Sequence, residues 1–370
     1  MIVGVDTRAA AEVPAGRGRV VRELLAAFEE VATDHRFLLY CRRPWHEGAL
    51  SGRFRWIKVP LPDPAWHMAA GIRANRECDV FLSTNSYLTA WMLSVPCAVL
   101  VYDLVAFLPE VRPQGRAARI ERATIRPAIR RAERLVCISH STEHDLLERF
   151  PRAAGKTTTV PLAAAATFGR HRDASELDAV AARYGVAAGR FVLSTGSLEP
   201  RKNLTRLIRA HGALPDELRR SYPLLLVGPR GWEEEEILQV ARERRDAVRL
   251  TGFVPDDDLA ALYADCAIFC YPSLYEGFGL PVLEAMAAGA PVITSDTSSL
   301  PEVGGDAVVY VQPEDERSLA SAMERLLRSP DERSRLAARG RTRAAEFSWD
   351  RVARALVDEI ERTAASRSRR

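Results

Sequence analysis

Residues 272–293 read Pro-Ser-Leu-Tyr-Glu-Gly-Phe-Gly-Leu-Pro-Val-Leu-Glu-Ala-Met-Ala-Ala-Gly-Ala-Pro-Val-Ile, and the parsing of this stretch decides the fold. The apolar run at 267–271 just before it has the length of a short buried strand. A glycine-bearing loop follows, then a helix expected to open with Pro281 at its first position and to close at Gly289, then a second strand at 291–294. This is a βαβ unit, and in open parallel sheets ligands lie outside the carboxyl ends of the strands, where the loop falls. Two carboxylates mark the place: Glu276 in the loop and Glu284, which this parsing puts in the first turn of the helix. Gly277 and Gly279 flank Phe278 and remove the Cβ atoms that would hold the backbone, and the helix amides beginning near Leu280, away from a ligand. A plainer account competes. A Glu near a helix start also serves as a dipole partner worth ~0.3–1 kcal/mol, and Gly-Phe-Gly occurs in ordinary turns.

Working outward, residues 196–203, Gly-Ser-Leu-Glu-Pro-Arg-Lys-Asn, lie between an apolar run at 191–195 and an amphipathic helical pattern at 204–213. Asn203 is expected to cap that helix, Gly196 to let the backbone turn closely, and the helix start to offer free amides and a positive dipole. Arg201 adds a fork of donors and Lys202 a compact charge, a combination suited to a diphosphate, with a merely solvated helix start as the alternative. Strand patterns at 224–227 and 248–254 end in Gly228-Pro229-Arg230-Gly231 and Gly252-Phe253-Val254-Pro255.

Residues 272–293 resemble the E-x7-E signature of the family-4 retaining glycosyltransferases, and 196–203 resembles the same family's Arg-Lys-Asn segment. The resemblance implies an α/β fold of the GT-B type: two doubly wound parallel-sheet, Rossmann-like domains facing across a cleft, with a C-terminal helix crossing back. It implies that Glu276 binds hydroxyls of the donor sugar, that Glu284 binds the nucleotide ribose, and that Arg201 and Lys202 neutralise the departing diphosphate. It further implies a donor-binding set of Gly196, Ser197, Arg230, Phe253, Val254, Gly277, Phe278, Gly279 and Leu280 beside Glu284. Family members use no metal, so none is expected, nor any cofactor beyond the nucleotide-sugar co-substrate.

The first half follows the pattern loosely. Residues 2–6 form a strand ending in Asp6, and 7–19 read as a loop before a helix at 20–31. Within the loop, Gly16 and Gly18 resemble the family's Gly-rich first loop, which approaches the donor phosphates, although Ala15 and Arg17 depart from it and a plain turn is an equal account. Further strands at 37–41, 55–59, 80–83, 98–103 and 135–139, with helical stretches between, imply a parallel sheet. Asp103, in a segment running to Glu110, stands where the resemblance implies a residue orienting or deprotonating the acceptor hydroxyl. Its neighbour Tyr102 replaces the family's His, and a carboxylate capping a turn is the competing account. His140 is expected as a structural hydrogen-bonder, with Thr142 a candidate cap for the next helix. Arg116, Arg119, Arg122, Arg126 and Arg130 recur at helical spacing, forming either a solvated face or a stripe that attracts an anionic acceptor or makes peripheral contact with a membrane surface.

Domain limits follow from these motifs: 1–165 as an acceptor-binding domain completed by a crossover helix at 350–366, and 188–348 as the donor-binding domain. Residues 167–189 are read as linker plus one short helix. A length of 370 residues suits two such domains, and 47% apolar with 27% charged residues describes a globular chain. No apolar stretch reaches membrane-span length, and residues 1–6 read as a strand rather than a signal peptide, so a cytoplasmic enzyme is expected. The net charge of +3 is too small to argue for a nucleic-acid partner, and none is expected; the six cysteines, mostly in apolar runs, are expected as reduced buried thiols. The expected activity is transfer of a hexose-type sugar, with retention, from a UDP-, GDP-, ADP- or dTDP-linked donor to a hydroxyl of a glycan, lipid-linked glycan or secondary metabolite. A nucleotide-sugar epimerase, a non-catalytic sugar-nucleotide binder and an anion-binding scaffold remain as alternatives.

Overall fold

The computed structural model describes residues 1–31, 33–45, 50–108 and 115–366, apart from the side chains of residues 116 and 117. The expected continuation of the Asp103 segment through Pro109 and Glu110, and residues 367–370, lie outside them. The chain divides into two compact units, one of residues 1–162 with 348–370 and the other of 163–347.

The first unit runs β1 (Ile2–Asp6), α1 (Arg8–Glu12), α2 (Arg17–Glu30), β2 (Arg36–Cys41), β3 (Phe54–Lys58), α3 (Ala65–Glu77), β4 (Val80–Ser83), α4 (Tyr87–Met92), β5 (Cys97–Val101), α5 (Arg116–Arg131), β6 (Arg134–Cys137), α6 (His140–Arg149) and β7 (Thr157–Thr159). The strands form one sheet, all parallel, in the order β3-β2-β1-β4-β5-β6-β7. Parallel strands covered by helices on both faces are continuously apolar rather than alternating, as in the fully buried Cys-Ala-Val-Leu-Val of β5. Each buried Leu, Val or Phe contributes ~1.5–3 kcal/mol relative to exposure, and the core built from Phe81, Leu104, Ile125 and Leu135 binds helices to sheet.

The second unit runs α7 (Ala174–Arg183), β8 (Val192–Thr195), α8 (Leu204–Gly212), α9 (Asp216–Ser221), β9 (Leu224–Val227), α10 (Glu235–Glu243), β10 (Val248–Gly252), α11 (Asp256–Asp265), β11 (Ile268–Tyr271), α12 (Leu280–Ala288), β12 (Val292–Ser295), α13 (Leu300–Gly304), β13 (Val309–Val311), α14 (Glu316–Arg328) and α15 (Pro330–Ala344). Its parallel sheet has the order β10-β9-β8-β11-β12-β13. The strand order therefore reverses between β8 and β11, which are direct neighbours, and the loops leaving their carboxyl ends flank the crevice where such sheets bind ligands. A last helix, α16 (Trp349–Ala365), is capped by Ser348, whose hydroxyl accepts from the Arg351 amide, and it packs on α2 of the first unit.

Several local expectations change. Residues 163–187 belong to the second unit rather than to a linker, because α7 packs on α11 and Arg183 and Tyr184 both bind Asp258. The loop expected at 7–19 holds α1, and α2 starts at Arg17, so Gly18 lies inside a helix. There an added Cβ would fall 1.7 Å from the Val13 carbonyl, which accounts for the glycine by packing. Pro281 is the second residue of α12 and Glu284 the fifth, past the first turn, because Leu280 follows Gly279 (φ 106) directly into the helix. Asn203 adopts the left-handed conformation (φ 59) and makes no side-chain cap. Ser139, not Thr142, caps α6, accepting from the Thr142 amide at 3.0 Å. His140 is an exposed neighbour of Glu143, 3.7 Å away. All six cysteines are free and buried.

Two loops of the second unit meet through their backbones. An added Cβ at Gly228 (φ 151) would lie 2.0 Å from the Gly196 carbonyl oxygen, and backbone cannot move aside as a flexible side chain can. Gly228→Ala should therefore lower the unfolding free energy by ~2–4 kcal/mol, whereas Gly52→Ala, with nothing within 4 Å of its Cβ, should change it by less than ~0.5 kcal/mol. Urea titration followed by circular dichroism measures both, and equal midpoints for the two variants would refute the packing account.

Candidate active site

Glu276 is the centre of the site. It leaves β11 on a loop whose geometry is fixed from several sides: its amide donates to Ser298 Oγ (2.9 Å), and its carbonyl accepts from Ser299 Oγ (2.9 Å). Its carboxylate is 2.8 Å from the Arg201 guanidinium through Oε2 and accepts from Lys202 Nζ at 2.7 Å through Oε1. Oε1 also accepts from Tyr271 Oη (2.8 Å) and Ser273 Oγ (2.6 Å). Lys202 Nζ donates in addition to Tyr271 Oη at 2.5 Å and stands 4.9 Å from that ring's centroid. Arg201 Nη1 donates to the Tyr275 carbonyl (2.7 Å), and the Arg201 carbonyl accepts from the Leu274 amide (2.9 Å). The two loops at the sheet's reversal point are thereby tied into one unit.

The electrostatics follow from two cations sharing one buried anion. Burial alone would raise the Glu276 carboxyl, but Arg201 and Lys202, with the hydrogen bonds from Lys202 and Ser273, hold it at about 2. Lys202 is pushed below its ordinary value, first by burial and then by Arg201, with Glu276 opposing. Tyr271 is raised well above its ordinary value by burial and by the neighbouring carboxylate, so it stays a protonated donor. Glu199, 3.4 Å from Arg201 and partly exposed, offsets some of the excess positive charge.

Asn203 completes this corner by another route than capping. Its Nδ2 donates to the Pro272 (3.0 Å) and Pro313 (2.6 Å) carbonyls, pinning the loop that carries Glu276. Glu284 is buried on α12, where Tyr263 Oη lies 3.5 Å from Oε2 and 2.9 Å from Thr195 Oγ1, the residue before Gly196. Sequence reasoning missed Tyr271, Ser273, Ser298 and Tyr263. For Tyr271 a signal existed, a polar-tipped side chain at the carboxyl end of a strand facing the Arg-Lys segment.

The other expected residues divide. Gly196 and Ser197 lie in the loop after β8, and Leu198 bridges to Arg230, bringing that loop alongside. Arg230 itself is exposed and bound to Glu234. Phe253 is exposed, while Val254 and Phe278 are buried, and the Phe278 ring sits 6.0 Å from that of Phe347, turned into the unit's own packing. Gly277 and Gly279 are buried and Leu280 is half-buried. In the first unit, Asp103 accepts from the Val105 amide (3.0 Å), as a turn-capping carboxylate does, and also lies 3.7 Å from Arg17. Gly16 (φ 55) precedes α2. Among the described residues no cluster of three or more His, Cys, Asp or Glu side chains is arranged to hold a metal ion.

The fold has close counterparts. Sucrose-phosphate synthase from Thermosynechococcus elongatus superposes with a TM-score of 0.77 at 21% identity, covering 99% of each chain. The Anabaena protein Alr3699/HepE, in complex with UDP-glucose, gives 0.77 at 17% identity, covering 97% of this chain and 99% of that one. At such identities the likeness concerns the fold, and that fold is GT-B. The model of the family described as glycosyl transferases group 1 matches residues 186–343, the span that holds every residue of the Glu276 site. An O-antigen chain mannosyltransferase B of Escherichia coli is 36% identical over 252 residues, covering 67% of this chain and 66% of that protein. The chain spans under a third of the length of other E. coli mannosyltransferases that it matches. The chain belongs to the group 1 glycosyltransferases, of the family-4 type.

A carboxyl held at about 2 rather than its usual 4.5 contributes stability that is fully present above about pH 4.5 and is lost as the pH falls toward 2. Glu276→Gln should thus be ~1–3 kcal/mol less stable than the parent at pH 7, because it leaves Arg201 and Lys202 unneutralised, and the gap should narrow as the pH falls below about 4.5 and close only near pH 2. Thermal unfolding across that range tests this, and a gap independent of pH would contradict it.

Proposed function

We propose that the protein is a retaining, metal-independent glycosyltransferase that moves a hexose-type sugar from a nucleoside-diphosphate sugar to a hydroxyl of a growing glycan. The observation that carries the reading is the convergence of Arg201 and Lys202 on the buried Glu276 carboxylate at the reversal point of the second sheet. A diphosphate arriving there meets a guanidinium fork, an ammonium and the first amides of α8, which stabilise the charge that develops as it leaves. Glu276 exchanges its cation contacts for hydroxyls of the donor sugar, and Glu284 takes the ribose. Asp103 of the first unit orients the acceptor hydroxyl. The acceptor oxygen attacks from the face that the phosphate leaves, so configuration is retained, and the departing phosphate oxygen takes the acceptor's proton.

Mannose is the first candidate sugar, since the matched E. coli relatives are named mannosyltransferases, and their O-antigen context favours a glycan acceptor. The Anabaena neighbour's UDP-glucose supports a nucleotide-linked donor of the same general form. Among the described residues no helix is long and apolar enough to cross a membrane. We place the activity in the cytoplasm, with exposed Arg119, Arg126 and Arg130 of α5 available to anionic lipid headgroups. Arg122 is directed instead to the Ala106 carbonyl (2.9 Å), and the side chain of Arg116 lies outside the described residues. One observation favours a second reading, a donor-binding protein without turnover: Tyr102 stands where the family carries His, with its hydroxyl buried.

Calorimetry with UDP, GDP, ADP and dTDP, followed by a transfer assay with the sugar form of whichever binds, decides between them. One nucleotide should bind, its affinity should drop ~10–100-fold in Lys202→Ala and Glu284→Ala, and sugar should move to a glycoside acceptor without added metal. Binding without transfer to any glycoside would support the second reading. No binding of any of the four would overturn both.

A further inference from the structure

At the carboxyl ends of β1 and β4, where the strand order of the first unit reverses, a cavity of about 190 Å³ opens among Arg8, Arg17, His67, Tyr87, Tyr102 and Glu121. One water needs ~10–15 Å³ on this measure, so the cavity has room for a molecule of sugar-ring size. None of Arg8, His67, Tyr87 and Glu121 was singled out by the sequence, and the Glu276 site uses none of them.

The charges lining this cavity are already matched. Arg8 is buried between Asp6 (3.4 Å) and Asp63 (2.9 Å) and lies over the Trp66 ring at 4.0 Å. Asp63 is shared with Arg42 (2.7 Å) and His67 (3.3 Å). Burial, then Arg8, pull His67 down to about 4, so its imidazole is uncharged at neutral pH, with Nδ1 2.8 Å from Thr89 Oγ1. Arg17 faces Asp103 at 3.7 Å and lies over the Tyr102 ring at 5.1 Å. Each cation that lines the cavity thus has a carboxylate beside it. An anionic ligand would bring a desolvated charge to a place that also holds Asp63, Asp103 and Glu121, and among the described residues lining the cavity no cation is left over to receive it. A neutral ring loses nothing on this account: it lays C–H faces against Tyr87 and Tyr102 and offers hydroxyls to Glu121, Asn85 and Thr124.

We propose that this cavity receives the reacting residue of the acceptor, that this residue is an uncharged polyhydroxylated ring rather than a phosphorylated or carboxylated one, and that Glu121 determines this specificity by accepting a hydrogen bond from one of its hydroxyls. The proposal rests on the transferase reading and names its acceptor class. Glu121 projects from α5; the groups that face it are Arg17 of α2, Asp103 beyond β5, Tyr87 of α4 and Arg122 of its own helix. Burial, aided by Asp103 and opposed by Arg17 and Arg122, raises its carboxyl to about 7. The ionised form is the better acceptor of a hydroxyl proton, so acceptor affinity increases as the pH rises through about 7.

The experiment is a titration of the intact chain, saturated with its nucleoside diphosphate, with methyl α-mannoside, a short neutral manno-oligosaccharide, mannose 6-phosphate and a hexuronic acid methyl glycoside. It is read by calorimetry and, where turnover occurs, by acceptor KM and kcat from about pH 6 to pH 8. Neutral glycosides should bind about tenfold or more tightly than the two anions, and more tightly at the upper end of the pH range. Glu121→Gln should raise acceptor KM about tenfold with a smaller change in kcat and remove the pH dependence, with nucleotide affinity unchanged. Anionic glycosides binding as well as neutral ones, or a Glu121→Gln variant with the parent's KM and pH profile, would overturn the proposal. The wild-type selectivity needs no variant, so it decides the matter even where Glu121→Gln does not fold. If no nucleotide binds, the transferase reading fails by itself, and the same titration without nucleotide still tells whether the cavity prefers neutral rings.

Discussion

One carboxylate shared by two cations organises the second unit. Glu276 accepts from Lys202, Tyr271 and Ser273 and pairs with Arg201, while its own amide and carbonyl are tied to Ser298 and Ser299. A buried ion pair recovers its desolvation cost only when the remaining hydrogen-bonding capacity is filled, and here it is filled from β11 itself, the loop after it and the loop after β8. With two cations around one anion, the arrangement keeps an appetite for further negative charge. The same group therefore holds the loops together, and on the proposed reading it prepares them for a diphosphate.

Topology determines why these residues meet. Arg201 and Lys202 precede Glu276 by more than seventy positions, yet β8 and β11 are adjacent strands, so the loops leaving their carboxyl ends are neighbours. Glycine at 196 and 228 allows two loop backbones to touch beside this point. The first unit repeats the arrangement with β1 and β4, but there the reversal point is lined by matched charges and aromatic faces instead of excess cation. Two sheets of one topology thus present contrasting chemistry, which the proposals assign to an anion at one and a neutral ring at the other.

Much of this was legible in the sequence because it is local. The apolar run, glycine loop, helix and closing Gly289 of 267–289 read directly as strand, loop and helix, and Arg201, Lys202 and Glu276 stood out as charges at strand ends. What local reading missed depends on contacts distant in sequence. Tyr271 looked like one more strand residue until Lys202 and Glu276 were seen on its hydroxyl. Asn203 reads as a helix cap by type, but its left-handed backbone sends the side chain to carbonyls of Pro272 and Pro313, the latter 110 residues away. Gly18 matched a phosphate-loop pattern but serves the packing of α2 on the chain before it. Glu121 carried no motif, since its character comes from burial beside Arg17 and Asp103.

The central claim is that the Arg201–Lys202–Glu276 group receives the diphosphate of a nucleotide sugar. A crystal structure of the chain with its nucleoside-diphosphate sugar tests it most directly. The account predicts diphosphate oxygens within hydrogen-bonding distance of the Arg201 guanidinium and the Lys202 ammonium, with Glu276 turned to the sugar hydroxyls. Diphosphate bound elsewhere, with Lys202 and Glu276 still paired at 2.7 Å, would contradict it.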